Sequence, residues 1–378
     1  MSRMRIAGTA FIALMVALGL TACAPAVTPT ATPSAGPSSG ASAAAPTPTP
    51  TTLADPVVRL SVGCDDLLST SAVDTAVGDN AVVLQLDQDA APTTIYTIAA
   101  RQNGTLQCAW GGKTQTDGGY DDGINLSVAV DAADAYAHYV PIFESQYGGT
   151  PVVNTSGDKS EYTCSGGNNH FLCGGNVLVG TNWVSIELQN SYKGGASVAV
   201  AKTRMQQTMS SVATRLAGVS VLPAWAAPVA SVSPFCSDAA DTTATVRKVF
   251  SAPTMTIVDL TGQLGPTDAS VTNSPANAIV SCNWRGKVGD DYLSVDELPN
   301  GAWALPELVA SPPLLEGVGT YAPVTMVGAD ATLFVHGGEG ASGALFSIGS
   351  NLYDVSYNDY GSKKDTAILT KLVAALAD

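Results

Sequence analysis

The chain has 378 residues, with 17 basic against 32 acidic side chains and a formal net charge of −15. A surface this acidic is a poor match for nucleic acid or anionic lipid, both of which select basic patches. Its three histidines, His138, His170 and His336, show no metal-ligand spacing, which argues against a His-based zinc site.

The first 22 residues follow the export pattern. Arg3 and Arg5 form a short basic region, and Ile6 to Leu20 is an uncharged, mostly apolar stretch of 15 residues. That length suits the core of a signal peptide and falls short of the about 18 to 20 residues of a membrane span. Leu20-Thr21-Ala22-Cys23 follows: an aliphatic residue, two small ones and a cysteine. This resembles the lipobox of bacterial lipoproteins. The resemblance implies cleavage before Cys23, a diacylglycerol on its sulfur (with palmitate among the expected acyl chains) and lipid anchoring to the membrane from outside. Without Arg3 and Arg5 the mature chain keeps 15 basic and 32 acidic residues, a net charge of −17.

Residues 24 to 54 carry no charge and consist almost wholly of Ala, Pro, Thr, Ser and Gly, with seven prolines. Such a composition cannot bury enough apolar surface to offset its ordering entropy, so residues 23–55 read as a lipidated cysteine and a disordered tether. At about 3.1 Å per residue in extended form, it could reach on the order of 100 Å. Two roles stay open: a spacer through the cell wall, sugar-modified on Thr, or a plain flexible linker. The abundance of Ala, Pro, Thr and Gly fits a high-GC actinobacterial source.

Beyond the tether, landmarks recur in the same order. Pro56-Val57 leads to Cys64, and Pro228-Val229 leads to Cys236, with a Pro-to-Cys spacing of eight in both. A helical stretch follows each cysteine: Asp65 to Val77, and Ser237 to Phe250. A second cysteine follows with 43 and 45 residues between, in Cys108-Ala109-Trp110 and Cys282-Asn283-Trp284. Two apolar runs then flank Gly180-Thr181-Asn182 and Gly349-Ser350-Asn351, where Gly and Asn supply the positive φ of a β-hairpin turn. Each half closes with a helical pattern, about Ala196 to Leu216 and Lys363 to Ala377. The middles differ. The first half has a helical segment from Ala132 to Tyr147, with Tyr136, Tyr139 and Phe143 on one face. The second has Pro306 to Leu315, broken by Pro312 and Pro313.

These patterns predict an α+β protein of two tandem similar domains, 56–223 and 228–378. Each is an antiparallel sheet with flanking helices and a long-loop disulfide. Each half is also long enough to fold by itself.

With Cys23 lipidated, six cysteines remain, an even number that reads as disulfides in an oxidising compartment. Six allow 15 connectivities. The repeat favours Cys64–Cys108 and Cys236–Cys282, each pinning a helix to a strand. Cys164 and Cys173 would then close a small Gly/Asn-rich loop. Trp110 and Trp284, two residues past their cysteines, share the strand face of the bridge.

Cys64-Asp65-Asp66-Leu67-Leu68 followed by Cys108-Ala109-Trp110 resembles the Cys-x-x-Leu-Leu to Cys-x-Trp pattern of a family of actinobacterial cell-envelope lipoproteins of largely unknown function. The resemblance spans about 150 residues per half. Cys236-Ser237-Asp238-Ala239-Ala240 lacks the leucine pair, so it is weaker in the second half. It implies an extracytoplasmic location and an antiparallel α+β domain, and no catalytic residues.

Familiar chemistry is sparse. Ser156-Gly157-Asp158-Lys159 has Ser-x-x-Lys spacing without the partner motifs of penicillin-interacting enzymes, and no Gly-x-Ser-x-Gly elbow occurs. Gly338-Glu339-Gly340-Ala341-Ser342-Gly343 fits Gly-x-Gly-x-x-Gly but joins two strands rather than opening a helix. Asp117 to Gly123 is an acidic loop that fails the EF-hand template, with Val128 where the bidentate Glu belongs. The expectation is therefore a lipid-anchored, non-enzymatic binding or sensing module on the outer face of the cytoplasmic membrane. It would have no cofactor and no metal, and its partner would be an envelope protein, a glycan or a small molecule. The alternatives are the solute-binding lipoprotein of a transporter and an envelope hydrolase. The Cys164–Cys173 and Asp117 to Gly123 loops are the candidate ligand-contacting segments.

Overall fold

The computed structural model describes residues 55–77, 82–84, 94–111, 123–144, 150–167, 170–191, 197–226, 239–250, 253–258, 279–286, 292–315, 319–336, 341–358 and 366–377. The leader, Cys23 and the tether lie outside these residues, as do Cys236, Gly338 to Gly340 and most of the Asp117 to Gly123 loop.

The first half runs α1 (Cys64–Leu67), α2 (Thr70–Val77), β1 (Val82–Leu84), α3 (Ile95–Gln102), β2 (Leu106–Gly111), β3 (Gly123–Ala129), α4 (Ala133–Glu144), β4 (Val152–Val153), β5 (Lys159–Gly167), β6 (His170–Val179), β7 (Asn182–Ser191) and α5 (Val198–Leu216). The second runs α6 (Ala239–Val249), β8 (Thr256–Val258), β9 (Val280–Arg285), β10 (Tyr292–Leu298), a 3-10 turn (Gly301–Ala304), α7 (Leu305–Ala310), β11 (Leu314–Leu315), β12 (Gly319–Thr320), β13 (Ala322–Val324), β14 (Ala331–His336), β15 (Ala341–Ile348), β16 (Asn351–Asn358) and α8 (Thr366–Ala377). The protein is thus α+β, and the hairpins, end helices and middle helices fall close to where the sequence puts them.

Two seven-stranded sheets result, ordered β1-β2-β3-β7-β6-β5-β4 and β8-β9-β10-β16-β15-β14-β13, with β11 and β12 as a separate pair. Every described strand pairing is antiparallel. Counting only the strands of each large sheet along its own half, both orders read first, second, third, seventh, sixth, fifth, fourth.

Each large sheet is covered on both faces. On one face of the first sheet, α5 buries Ala201, Met205, Met209, Val212 and Leu216 at helical spacing against Phe171, Val177, Val184 and Ile186. Gly175 makes this close approach possible, since a Cβ there would stand 3.0 Å from Met205 Sδ. On the other face α4 packs Tyr136 and Val140 against Trp183, with the Tyr136 and Trp183 rings edge to face at 6.1 Å. The second sheet carries α6 and α8 on one face, around Trp284, Phe346 and Tyr353. Its other face carries Leu298, Leu333, Leu345 and Leu352 beneath Leu305 and Leu308 of α7.

That last core also contains Ile95, Ile98 and Ala99 of α3, which belongs to the first half of the sequence. Residues Ala54–Asp378 form one compact unit. The idea of two halves each closing its own core therefore fails at α3.

Local rules account for this helix. The Thr94 hydroxyl accepts from Thr97 N at 3.2 Å, and Thr94 N donates back to Thr97 Oγ1 at 3.1 Å, which caps the first turn. At the far end, Gly104 has φ +70°, Thr105 N donates to Ala100 O and Gly104 N donates to Arg101 O, both at 2.9 Å. This is a Schellman stop.

Three sequence expectations need correction. The helical stretch from Asp65 to Val77 is broken at Leu68, whose backbone is extended, into α1 and α2. In the two hairpin turns only Gly180 and Gly349 have positive φ, while Asn182 and Asn351 are the first residues of the returning strands, paired with Val179 and Ile348. Finally, Cys164 and Cys173 do not close a loop. They face each other across the β5–β6 ladder, with His170 paired to Gly167 at its end.

Candidate functional site

The sequence-predicted residues mostly turn out to be structural. Cys64 and Cys108 are bonded, with Cα atoms 5.6 Å apart and a separation of 44. The described residues of that interval include helices α2 and α3 and strand β1, so this is not a long-loop disulfide; it ties the start of α1 to β2. Trp110 is buried two residues on, packed in the same core as Cys108. Cys164 and Cys173 are bonded with Cα atoms 4.1 Å apart. Cys282 is also disulfide-bonded.

Ser156 is buried in a turn, accepting from Asn154 Nδ2 at 3.0 Å while Asp158 Oδ2 caps Gly180 N at 2.7 Å. Ser156 thus sits in a turn that braces the β6–β7 hairpin, and Lys159 begins β5, paired with Leu178. His336 Nδ1 lies 2.8 Å from Ser342 Oγ across the β14–β15 ladder, and His138 lies on α4. Among the described residues, no group of three or more His, Cys, Asp and Glu could hold a metal ion. Nor, among them, is any helix long and apolar enough to cross a membrane.

The most perturbed chemistry lies on the second sheet beneath α3, where no sequence motif pointed. Along β10 the side chains alternate: Leu293 and Val295 join the core under α6 and α8, and Leu298 joins the core under α3 and α7. Asp296 shares the face of Leu298. On the adjacent strand Asp354 follows Leu352 by two, and the register places it directly opposite Asp296. Cβ atoms of directly opposed residues lie about 4.5–5.5 Å apart. On the other flank the Ser281 hydroxyl donates to Asp296 Oδ1. Both aspartates are half-buried.

Burial raises the pKa of each carboxyl, and the charge on Asp296 adds to the rise at Asp354, which reaches about 7. Tyr96 of α3 is pushed up to about 12 by burial and then by the charges of Asp296 and Asp354. Tyr321 is raised by burial and by Asp354. These four groups therefore form one electrostatic cluster. Since the two carboxyls interact, their protons are best assigned to the pair.

The helix above is clamped at its C-terminal end. Gln102 Nε2 donates to Pro299 O at 2.7 Å, and Trp303 Nε1 donates to Gln102 Oε1 at 3.1 Å. Arg101 pairs with Glu307 at 3.1 Å and lies 5.5 Å from the centre of the Trp303 ring.

The first sheet has serines at the same register: Ser127 opposes Ser185, two residues past Trp183 as Asp354 is two past Leu352. The fold itself thus does not require acids here. The opposite face of β10 holds a second carboxylate, Glu297, fully buried and accepting from Asn351 Nδ2 at 2.9 Å and Tyr353 OH at 3.2 Å. Asn351 Oδ1 in turn accepts from Asn300 N at 3.2 Å, so Glu297 braces the β16 hairpin to the end of β10.

A separate groove of about 440 Å³ runs between α2 and α5, lined by Ser69, Ser71, Thr75, Arg204, Gln207 and Ser211. Arg204 Nη1 donates to Ala76 O at 3.3 Å, joining the two helices along it.

The sequence could have revealed α3. Ile95, Ile98, Ala99 and Gln102 stand at i, i+3, i+4 and i+7 behind a Thr-x-x-Thr cap and before Asn-Gly. That pattern would still not have said which sheet the helix covers. No protein-family model, curated protein or solved structure matches the chain.

Proposed function

We propose that this chain is an exported lipoprotein, anchored through lipid on Cys23 at the outer face of the cytoplasmic membrane, whose folded part is a non-enzymatic binding or sensing module. The observation that carries the reading is the joint presence of the Leu20-Thr21-Ala22-Cys23 leader end and of disulfides in the folded part, which persist in oxidising compartments. Two or more acyl chains on Cys23 would give stable anchoring. The resemblance to actinobacterial envelope lipoproteins belongs to the same reading.

A tandem duplication with bounds 56–223 and 228–378 accounts for the matching strand orders and for the Pro, Cys, Cys-x-Trp and Gly-Ser/Thr-Asn landmarks. Under it Cys282 pairs with Cys236, the cysteine left over when Cys64, Cys108, Cys164 and Cys173 are bonded and Cys23 carries lipid. Antiparallel hairpin sheets favour a binding module over the solute-binding reading, which usually brings parallel βαβ units.

The test is mass spectrometry of the native N-terminus from membranes. A diacylated or triacylated Cys23 with Met1 to Ala22 absent is expected. A water-soluble chain beginning elsewhere, with an unmodified Cys23, would overturn the anchor.

A further inference from the structure

We propose that Asp296 and Asp354 form a proton-operated latch that holds α3 of the first half on the second sheet while they share a proton and loosens it when both are charged. The placement carries the argument. Adjacent antiparallel strands set the two carboxyls directly opposite each other. They sit on the half-buried face that α3 contacts through both β10 and β16. Like charges directly opposed across a ladder destabilise it. Among the described residues no cation pairs with either acid. The two ion pairs found there are Arg59–Asp131 and Arg101–Glu307.

The surroundings offer little compensation. From β9, Ser281 donates one hydrogen bond to Asp296, and Arg285 lies over the Tyr292 ring at 5.9 Å. From β10, Tyr292 donates to Asn283 at 2.7 Å. From β15, the residue opposite Asp354 is Leu345. From α3, Tyr96 feels both aspartates, while Arg101 is engaged by Glu307 of α7. Tyr321 feels Asp354. None of the tyrosines supplies positive charge. The helix is therefore held at its C-terminal end by the Gln102 clamp and the Arg101–Glu307 pair, while Tyr96 near its start shares the field of the acids. Loosening at the acid pair would hinge the helix on that clamp.

The direction with pH follows from the raised acid. With α3 lifted, the carboxyls meet water and recover ordinary values near 4, whereas with α3 seated the pair keeps a proton up to about 7. The seated state then binds more protons between those limits. Its advantage is complete below about pH 4, declines as pH rises and is gone above about 7. The serines at the matching register of the first sheet, both buried, show that uncharged residues fit such a site.

The test is hydrogen exchange on the full chain from pH 5 to 8, corrected for the intrinsic rate. It reads the amides of α3, with Ile98, whose N–H donates to Thr94 O, as the reporter, against those of α5 as the global reference. In the wild type, α3 protection should fall at least about tenfold over this range, the equivalent of one pKa unit, while α5 holds. Asp354→Asn and the double variant Asp296→Ser with Asp354→Ser should flatten the α3 profile. A flat wild-type profile, an equal fall in α5, or an unchanged slope in the double variant would each overturn the latch.

Discussion

Truncating Ile98 to Ala tests whether a helix from the first half really closes the second core. Ile98 is fully buried with Ile95 and Ala99 against Leu298, Leu305, Leu308 and Leu345. The substitution removes three carbons, worth roughly 2.4 kcal/mol of transfer at about 0.8 kcal/mol per methylene. The cavity left behind adds to that, and buried isoleucine-to-alanine changes cost about 2–5 kcal/mol in all. A loss of about 3 kcal/mol is expected. It should appear in the second sheet, where native-state exchange at Tyr353 and Val355 of β16 should accelerate about a hundredfold. The amides of β6, in the first sheet, should accelerate less. By the same reasoning residues 228–378 made alone, without α3, should melt well below the second half of the full chain, since the leucine-lined face stands uncovered. If Ile98→Ala left β16 protection unchanged, or residues 228–378 alone matched the full chain in stability, α3 would not be part of that core and the reasoning would fail.

Two further outcomes follow from the fold. Replacing both Cys64 and Cys108 with Ser should lower stability by about 3–4 kcal/mol on chain-entropy grounds, read as a drop in the urea midpoint with a steeper slope, because the freed unfolded chain exposes more surface; a loss near zero, or an unchanged slope, would refute that account. Gly180→Ala and Gly349→Ala place a Cβ in open space at φ +61° and +59°, so each should cost only the backbone strain of about 1–2 kcal/mol, and a larger loss in thermal melting would point to a contact the turn does not show.

The local features legible in the sequence were those set by short-range rules. Hairpin turns need glycine at positive φ, amphipathic helices need periodic apolar residues, and the Cys-x-Trp strands alternate between faces. These gave the hairpins, α4, α5, α6 and α8 nearly at their observed bounds, while the repeat of landmarks gave the Cys64–Cys108 pairing and left Cys164 with Cys173. Two recurring sets of landmarks also pointed to two sheets, and the strand orders prove alike. Cys23 and the tether rest on sequence alone, since they lie outside the described residues.

The tertiary structure decided where those elements pack. Nothing local in Ile95, Ile98 and Ala99 tells a helix which of two apolar sheet faces to cover; that choice depends on which face is left open once α4 has covered the first sheet and the shorter α7 the second. The acid pair was hidden for a related reason. Asp296 and Asp354 are 58 positions apart, and only the antiparallel register of β10 with β16 brings them face to face. Singly, an aspartate in a strand reads as a solvent-facing residue. Their shared proton arises from proximity and burial together, both of which are properties of the assembled sheet and the helix laid over it.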